Sequence, residues 1–269
     1  RLVTVRRPAG RRGCLSCRIP LTGVVHTAYL WLSSHDHHVE VALIDSSDFL
    51  TTSDQTEDTA LDRDTFAADC TAAGGEGWAV QADVSDPSEI DRLVASTVDR
   101  FGRLDILVNN AGTTVFVSDY ANLDALTGEV WDKILGLNVK SAFFAARAVA
   151  PHMKAAGGGA IVNVASISGL RPVGSSMAYN ASKAALISVT QSLAVALGPT
   201  GVRVNAVAPG HIETRWHAGR DAAAAAARDR TPLGRNGTGD DVAGAIDYLA
   251  TAPWVTGEVI VVDGGRFLR

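Results

Sequence analysis

The chain has 269 residues, 46% hydrophobic and 20% charged, with a formal net charge of −5, which is room and apolar content enough for one large α/β domain. The acidic balance argues against nucleic acid as a partner, and three cysteines cannot build a disulfide framework, so a reducing, cytoplasmic setting is expected. No uninterrupted apolar run reaches the roughly 18 residues of a membrane span, so no membrane partner is expected.

Charge is unevenly spread along the chain. Residues 1–35 hold six arginines (Arg1, Arg6, Arg7, Arg11, Arg12, Arg18) and no Asp or Glu, leaving 18 basic against 29 acidic residues elsewhere. We set residues 1–38 apart as an atypical basic segment, without the apolar core of a secretory signal. Cys14-x-x-Cys17 has no second ligand pair at zinc-site spacing, so no metal is expected there. His35, His37 and His38 sit in a polar patch and read as a solvated loop.

From residue 39 to residue 269 short apolar runs alternate with amphipathic ones, the pattern of βαβ units around a parallel sheet. Val39–Ile44 reads as a strand ending at Asp45, Asp48–Thr59 as a surface loop, and Leu61–Ala73 as a helix stopped by Gly74-Gly75. Trp78–Gln81 is a short strand followed by Asp83 and Val84. Asp86-Pro87 supplies a cap and a first-turn proline for a helix ending at Phe101-Gly102. Leu104–Val108 is a buried strand delivering Asn109-Asn-Ala-Gly112 at its carboxyl end. A helical region over about residues 127–156 carries Asn138 near its middle, and Ala160–Ala165 is a strand ending at Ser166. Met177–Leu197 is helical, and Val202–Ala208 runs into Pro209-Gly210. His211–Thr238 reads as a mobile cover with an alanine run, followed by a helix over Asp240–Leu249 and a last strand, Val259–Val262. The whole fits one doubly wound, Rossmann-type domain whose ligands sit beyond the carboxyl ends of the strands.

Ser166, Tyr179 and Lys183 form the central chemical set. Tyr179 and Lys183 are four apart on one helix face, where an ammonium is expected to favour the phenolate and lower the tyrosine pKa. Such a phenol can exchange a proton with a substrate oxygen that Ser166 also contacts. Asn138 is a candidate for holding a relay water behind the lysine. Asp45, just after its strand, can accept hydrogen bonds from an adenosine ribose 2′-hydroxyl and would repel a 2′-phosphate, which favours NAD over NADP.

The stretches Asn163-Val-Ala-Ser-Ile-Ser-Gly169, Tyr179-Asn-Ala-Ser-Lys183 and Arg203-Val-Asn-Ala-Val-Ala-Pro-Gly210 occur in order with Asn109-Asn-Ala-Gly112, Asn138-Val-Lys140 and the terminal Val261-Val-Asp-Gly-Gly265. Together they resemble the short-chain dehydrogenase/reductase family over roughly residues 39–265, closest in pattern to its 3-oxoacyl reductases. The resemblance implies an NAD(P)-dependent oxidoreductase acting on a small-molecule ketone or alcohol, assembled as a homotetramer or homodimer. It makes Tyr179 the acid/base, Ser166 the group that positions the substrate oxygen, with Ser168 its nearest rival, and Asn138 the end of the relay. Lys183, with Tyr179, would also hold the nicotinamide ribose. Asp83 and Val84 would meet the adenine, and Asn110, Ala111 and Gly112 the adenosine ribose. Pro209, Gly210, Ile212 and Thr214 would lie beside the nicotinamide. Met177, His211, Trp216 and His217 would line or cover the substrate pocket, with Ser168 also near the substrate.

The opening departs from that pattern. A Thr-Gly-x-x-x-Gly-x-Gly loop, whose glycines let the backbone approach a pyrophosphate, is missing. Leu2-Val3-Thr4 continues as Val5-Arg6-Arg7-Pro8, and Leu21-Thr22-Gly23 has Thr27 and Tyr29 in the later glycine slots. Back-translated with G/C-rich codons and shifted by one base, residues 5–13 can be read as Ser-Gly-Gly-Arg-Arg-Gly-Val-Gly, which resembles the missing loop. The first βα unit is therefore doubtful, and an alternative reading is a family-fold binding protein with weak cofactor affinity and no catalysis.

Overall fold

The computed structural model describes residues 29–35, 38–45, 76–214, 217 and 219–269, with side chains of residues 29–45, 76, 79 and 81 left aside. Cys14, Cys17, the predicted loop and helix over residues 48–73, both candidate glycine-loop starts and Trp216 lie outside the described residues.

Among the described residues, seven strands form one sheet in the order β3-β2-β1-β4-β5-β6-β7. They are β1 (Tyr29–His35), β2 (His38–Asp45), β3 (Glu76–Gln81), β4 (Ile106–Asn109), β5 (Gly159–Val164), β6 (Val202–Pro209) and β7 (Val259–Val262). The pairs β2–β3, β4–β5, β5–β6 and β6–β7 are parallel. Most of β5 and β6 is buried residue after residue, as expected of strands covered on both faces. The architecture is the predicted Rossmann-type α/β domain.

β1 is the exception, antiparallel to both β2 and β4. Only two residues separate His35 from His38, and so short a connection makes a hairpin, because a parallel return needs a crossover of a dozen or more residues. No helix can stand between these two strands. His35 and His38 face each other across the hairpin register, so these two histidines belong to strands and not to the solvated loop expected for them. β1, from inside the basic segment, is an interior strand, paired on both sides and next to the central β4. Its amino end, Tyr29, pairs with Asn109 at the carboxyl end of β4.

The helices follow their sequence signals. α1 (Pro87–Phe101) is capped by Asp86, whose carboxylate accepts the Ser88 N–H at 2.8 Å, and ends at Gly102 in the left-handed conformation. It buries Ile90, Leu93 and Val94 in a core shared with Leu107 of β4 and Ile161 of β5. α2 (Gly128–Leu135) and α3 (Ser141–Ala155) are joined by a π-turn, Gly136–Lys140, so the predicted long helix is present but widened at Asn138. There the Ser141 N–H bonds the Gly136 carbonyl, and the Ser141 hydroxyl donates to the Leu137 carbonyl that this register leaves behind. α4 (Met177–Leu197) begins at Ser176, whose hydroxyl accepts the Tyr179 N–H, and packs on β6 through the Leu186–Ala206 cluster. The helical stretch 177–200 is long and apolar enough by length and composition to cross a bilayer, although polar residues such as Asn180, Lys183 and Gln191 interrupt it. In this fold it buries Ser182, Lys183 and Thr190. The predicted cover contains α5 (Asp221–Asp229), and α6 (Gly239–Thr251) opens on a Thr238–Asp241 capping box.

Candidate active site

β4, β5 and β6 run parallel, so the segments that follow Asn109, Val164 and Pro209 all emerge at one edge of the sheet. Ser166 stands two residues beyond β5. Its hydroxyl accepts the Ser168 N–H at 3.1 Å and is hydrogen-bonded to the Tyr179 side chain. Ser168 is buried elsewhere, with a Cβ placed on Gly174 falling 2.9 Å from its hydroxyl. Of the two serines, Ser166 is the partner of the tyrosine.

Lys183 is 3% exposed, donates from Nζ to the Val164 carbonyl at 2.8 Å, and lies 5.7 Å from the Tyr179 ring centre. Burial of the ammonium pulls its pKa down to about 8. Tyr179 moves the opposite way from the sequence expectation. Burial of its phenolate pushes the pKa up to about 12, and the Ser166 hydrogen bond opposes this without reversing it. At neutral pH the tyrosine is therefore a protonated phenol, suited to donating a proton.

Asn138 is buried and its carboxamide is engaged on all sides. Oδ1 accepts the Thr113 N–H at 2.7 Å, while Nδ2 donates to the Thr113 carbonyl at 2.9 Å and to Ser182 Oγ at 2.9 Å. The Ser182 hydroxyl donates in turn to the Tyr179 carbonyl at 2.7 Å. This side chain ties the loop after β4 to α4 with both of its donors used, and a relay water could be held only through the second lone pair of Oδ1 or the Asn138 backbone. A Cβ on Gly112 would lie 3.4 Å from Asn138 Oδ1 and 3.5 Å from Lys183 Nζ. Both are ordinary contact distances, so the glycine leaves a small open space beside the ammonium without being forced by packing.

The remaining predicted positions divide. Asp83 accepts from the Ser85 N–H and hydroxyl at 2.8 and 2.7 Å, and Val84 is fully buried. Ala111 is buried and Asn110 half-buried at the end of β4. Gly210 donates to the Val262 carbonyl, and a Cβ there would fall 2.6 Å from Asp263 Cβ, so close strand packing already explains this glycine. The His211 carbonyl and the Glu213 N–H both bond Gly237, which turns the N–H and carbonyl of Ile212 between them to the opposite side. Thr214 is half-buried and accepts the His217 N–H through its carbonyl. Met177 is exposed, and being two residues before Tyr179 its side chain leaves α4 on another side. Asp45 closes β2, which fixes its backbone place alone.

Residues that the sequence did not single out complete the site. Thr113 and Ser182 hold Asn138, and Val164 holds Lys183, through partners distant in sequence that no spacing rule announces. Phe116 and Arg220 join His211 and His217 above it: the imidazoles stack at 3.9 Å, Phe116 meets His217 edge-on, and the Arg220 guanidinium lies 3.5 Å from the Phe116 ring centre.

A half-buried tyrosine bonded to a serine, with a buried ammonium beside a small open space at strand ends, defines a proton-transfer site of the Tyr/Lys type. The family described as Enoyl-(Acyl carrier protein) reductase matches residues 50–266. L-rhamnose 1-dehydrogenase (NAD(P)(+)) of Azotobacter vinelandii is 44% identical over 213 residues, covering 76% of this chain and 80% of its own length. The 3-oxoacyl-[acyl-carrier-protein] reductase of Synechocystis is 38% identical over 208 residues, covering 76% of this chain and 82% of its own. A gluconate 5-dehydrogenase from Burkholderia cenocepacia, solved in complex with NADP and tartrate, superposes with a TM-score of 0.69 at 30% identity, covering 76% of this chain and 81% of its own. The chain belongs to the short-chain dehydrogenase/reductase family of oxidoreductases.

Proposed function

We propose that this protein transfers a hydride between NAD(H) and a carbonyl or secondary alcohol, with Tyr179 as the acid/base. The carrying observation is the Ser166–Tyr179 hydrogen bond beside the buried Lys183 ammonium. In the reducing direction Tyr179 donates its phenolic proton to the developing alkoxide, and Ser166 orients the same oxygen. Lys183 holds positive charge behind the ring, which stabilises the phenolate left by that transfer. The nicotinamide, when bound, supplies or accepts the hydride.

The nicotinamide end fits the residues present. Tyr179 and Lys183 would hold the nicotinamide ribose, the space over Gly112 admits it, and Ile212 offers backbone groups beside Pro209, Gly210 and Thr214. At the adenosine end, Asp83, Val84 and residues 110–112 would meet the base and ribose. NAD over NADP rests on Asp45 alone. The relatives argue less sharply, since one is named for either cofactor and one was solved with NADP. A cytoplasmic placement and a homotetramer or homodimer belong to the same proposal, and the assembly is checked by gel filtration.

The test is a screen of NADH and NADPH oxidation against 3-oxoacyl thioesters, sugars and small ketones. Carbonyl-dependent oxidation that disappears in Tyr179→Phe supports the proposal; no carbonyl-dependent oxidation with any class overturns it. The second reading, a binding protein with weakened cofactor affinity, is favoured by the β1–β2 hairpin, which replaces the first βα unit. A nicotinamide cofactor titration separates the two.

A further inference from the structure

The side chains above Tyr179 carry an unbalanced charge. His211 follows β6, Phe116 follows β4, and His217 and Arg220 come from the cover, so these residues share the sheet edge that carries Ser166. The 114–120 segment is fastened along the lead-in to α4. The Val117 N–H donates to the Ser175 carbonyl at 3.0 Å, and Asn180 Nδ2 donates to the Tyr120 hydroxyl at 2.9 Å. The histidine–phenylalanine cluster therefore stands over the helix that presents the tyrosine.

Within that cluster His211 Nε2 is buried with no hydrogen-bond partner among the described residues. A buried polar nitrogen left unpaired is destabilising, and a bound ligand atom would recover that loss. Arg266, half-buried, acts on both imidazoles together with desolvation, and Arg220 adds to the field at His217. His217 is held down to about 4, so this imidazole is neutral at physiological pH. No side-chain hydrogen bond or ion pair engages the Arg266 or Arg220 guanidinium among the described residues. Two carboxylates are nearby, Asp263, whose charge acts on Arg266, and Glu213, whose charge acts on His211. Asp263 accepts the Gly265 and Phe267 N–H groups, and Glu213, the acid acting on His211, accepts from Asn236 Nδ2 at 3.4 Å.

Among the described residues the Arg220 guanidinium has no carboxylate partner, the Asp263 charge at Arg266 is opposed by Arg230 and Arg171, and an imidazole nitrogen lacks a hydrogen-bond partner; this excess of positive charge describes a site for an anion. We propose that the His211–His217–Arg220–Arg266 cluster binds a carboxylate of the substrate, so that the preferred carbonyl compounds are oxo acids. The inference rests on the oxidoreductase reading for its carbonyl and on the cluster for its charge.

The experiment separates these two. Binding of 2-, 3- and 4-oxopentanoate and of their methyl esters to the full chain is followed by imidazole ¹H–¹⁵N NMR, with assignments from His211→Asn and His217→Asn. At least one acid should bind about tenfold more tightly than its ester, with shifts at His211 and His217. Arg266→Gln and His211→Ala should each collapse that acid-to-ester ratio toward one. Equal binding of acid and ester for all three pairs overturns the proposal, as does a preference that survives both substitutions. Turnover of the same compounds with NADH reports separately on the Tyr179 chemistry. Acid-selective binding without turnover would sustain the anion site and sink the reductase reading.

Discussion

β1–β2 and β4–β5 are neighbouring strand pairs in one sheet, yet they solve the return of the chain in opposite ways. β4 and β5 are joined by residues 110–158, enough for the π-widened α2–α3 helix, so β5 comes back parallel and both strands deliver their loops to the same edge. β1 and β2 are joined by two residues, so β2 comes back antiparallel and the carboxyl end of β1 points away from that edge. A parallel crossover places a loop and a helix amino-terminus where ligands bind; a hairpin places neither. The catalytic half of the molecule is thus built around strand ends, while the described residues of the nucleotide half include no element that would face a pyrophosphate.

The strongest test of the intact half is Tyr179→Phe. It removes the transferable proton and leaves the ring packed, so turnover on a verified substrate should fall about 10²–10⁴-fold with the thermal midpoint nearly unchanged. Near wild-type turnover would take Tyr179 out of the role. The altered half is tested by addition. Replacing residues 1–38 with a strand, a Thr-Gly-x-x-x-Gly-x-Gly loop and a helix should tighten NADH binding by about tenfold or more, through backbone N–H donors and the helix dipole. Titration calorimetry checks it. Ordinary micromolar NADH binding by the unaltered chain would show that the hairpin costs the enzyme little.

A smaller effect should appear in the pH profile. With Tyr179 at about 12 and Lys183 at about 8, the phenol stays protonated between pH 6 and 9 while the ammonium is lost above 8. The reduction rate should therefore be level below about pH 8 and decline above it. Oxidation, which needs the phenolate, should climb with pH through the same range. A reduction rate that rises from pH 7 to 9 would contradict the assigned order of the two groups.

How much of this was legible in the sequence follows the same division. Met177–Leu197 and Val259–Val262 match their predicted limits, and Asp86, Pro87 and Gly102 mark α1 because caps and a first-turn proline are local signals. The Ser166/Tyr179/Lys183 set was legible because its order and spacing are linear features. The tyrosine's pKa direction was not, since burial depends on everything packed around it and outweighs one ammonium 5.7 Å from the ring. Nor was the role of Asn138, whose partners Thr113 and Ser182 lie 25 and 44 residues away. β1 was hidden because the segment around it is basic and lacks the glycine loop that would announce a first strand.

The smallest expected effect lies at Asp45. It closes β2, in register with Gln81 of β3, and β2 keeps the parallel sense of β3 even though β1 does not. The hairpin thus leaves the end of β2 at the ligand edge, and a carboxylate there can still accept from a ribose 2′-hydroxyl and repel a 2′-phosphate. Because a carboxylate and a phosphate that meet in water are screened by salt, the discrimination expected from such a group is modest. Asp45→Ser should narrow the NADH-to-NADPH ratio of kcat/KM by about tenfold, mainly by improving NADPH, and the shift should shrink as ionic strength rises. The same substitution in the glycine-loop graft should produce a larger shift, since a pyrophosphate held in place fixes the adenosine ribose against residue 45. Equal shifts in both backgrounds would mean that the hairpin already holds the cofactor in register, and tighter NADPH than NADH binding by the unmodified chain would remove Asp45 from the argument.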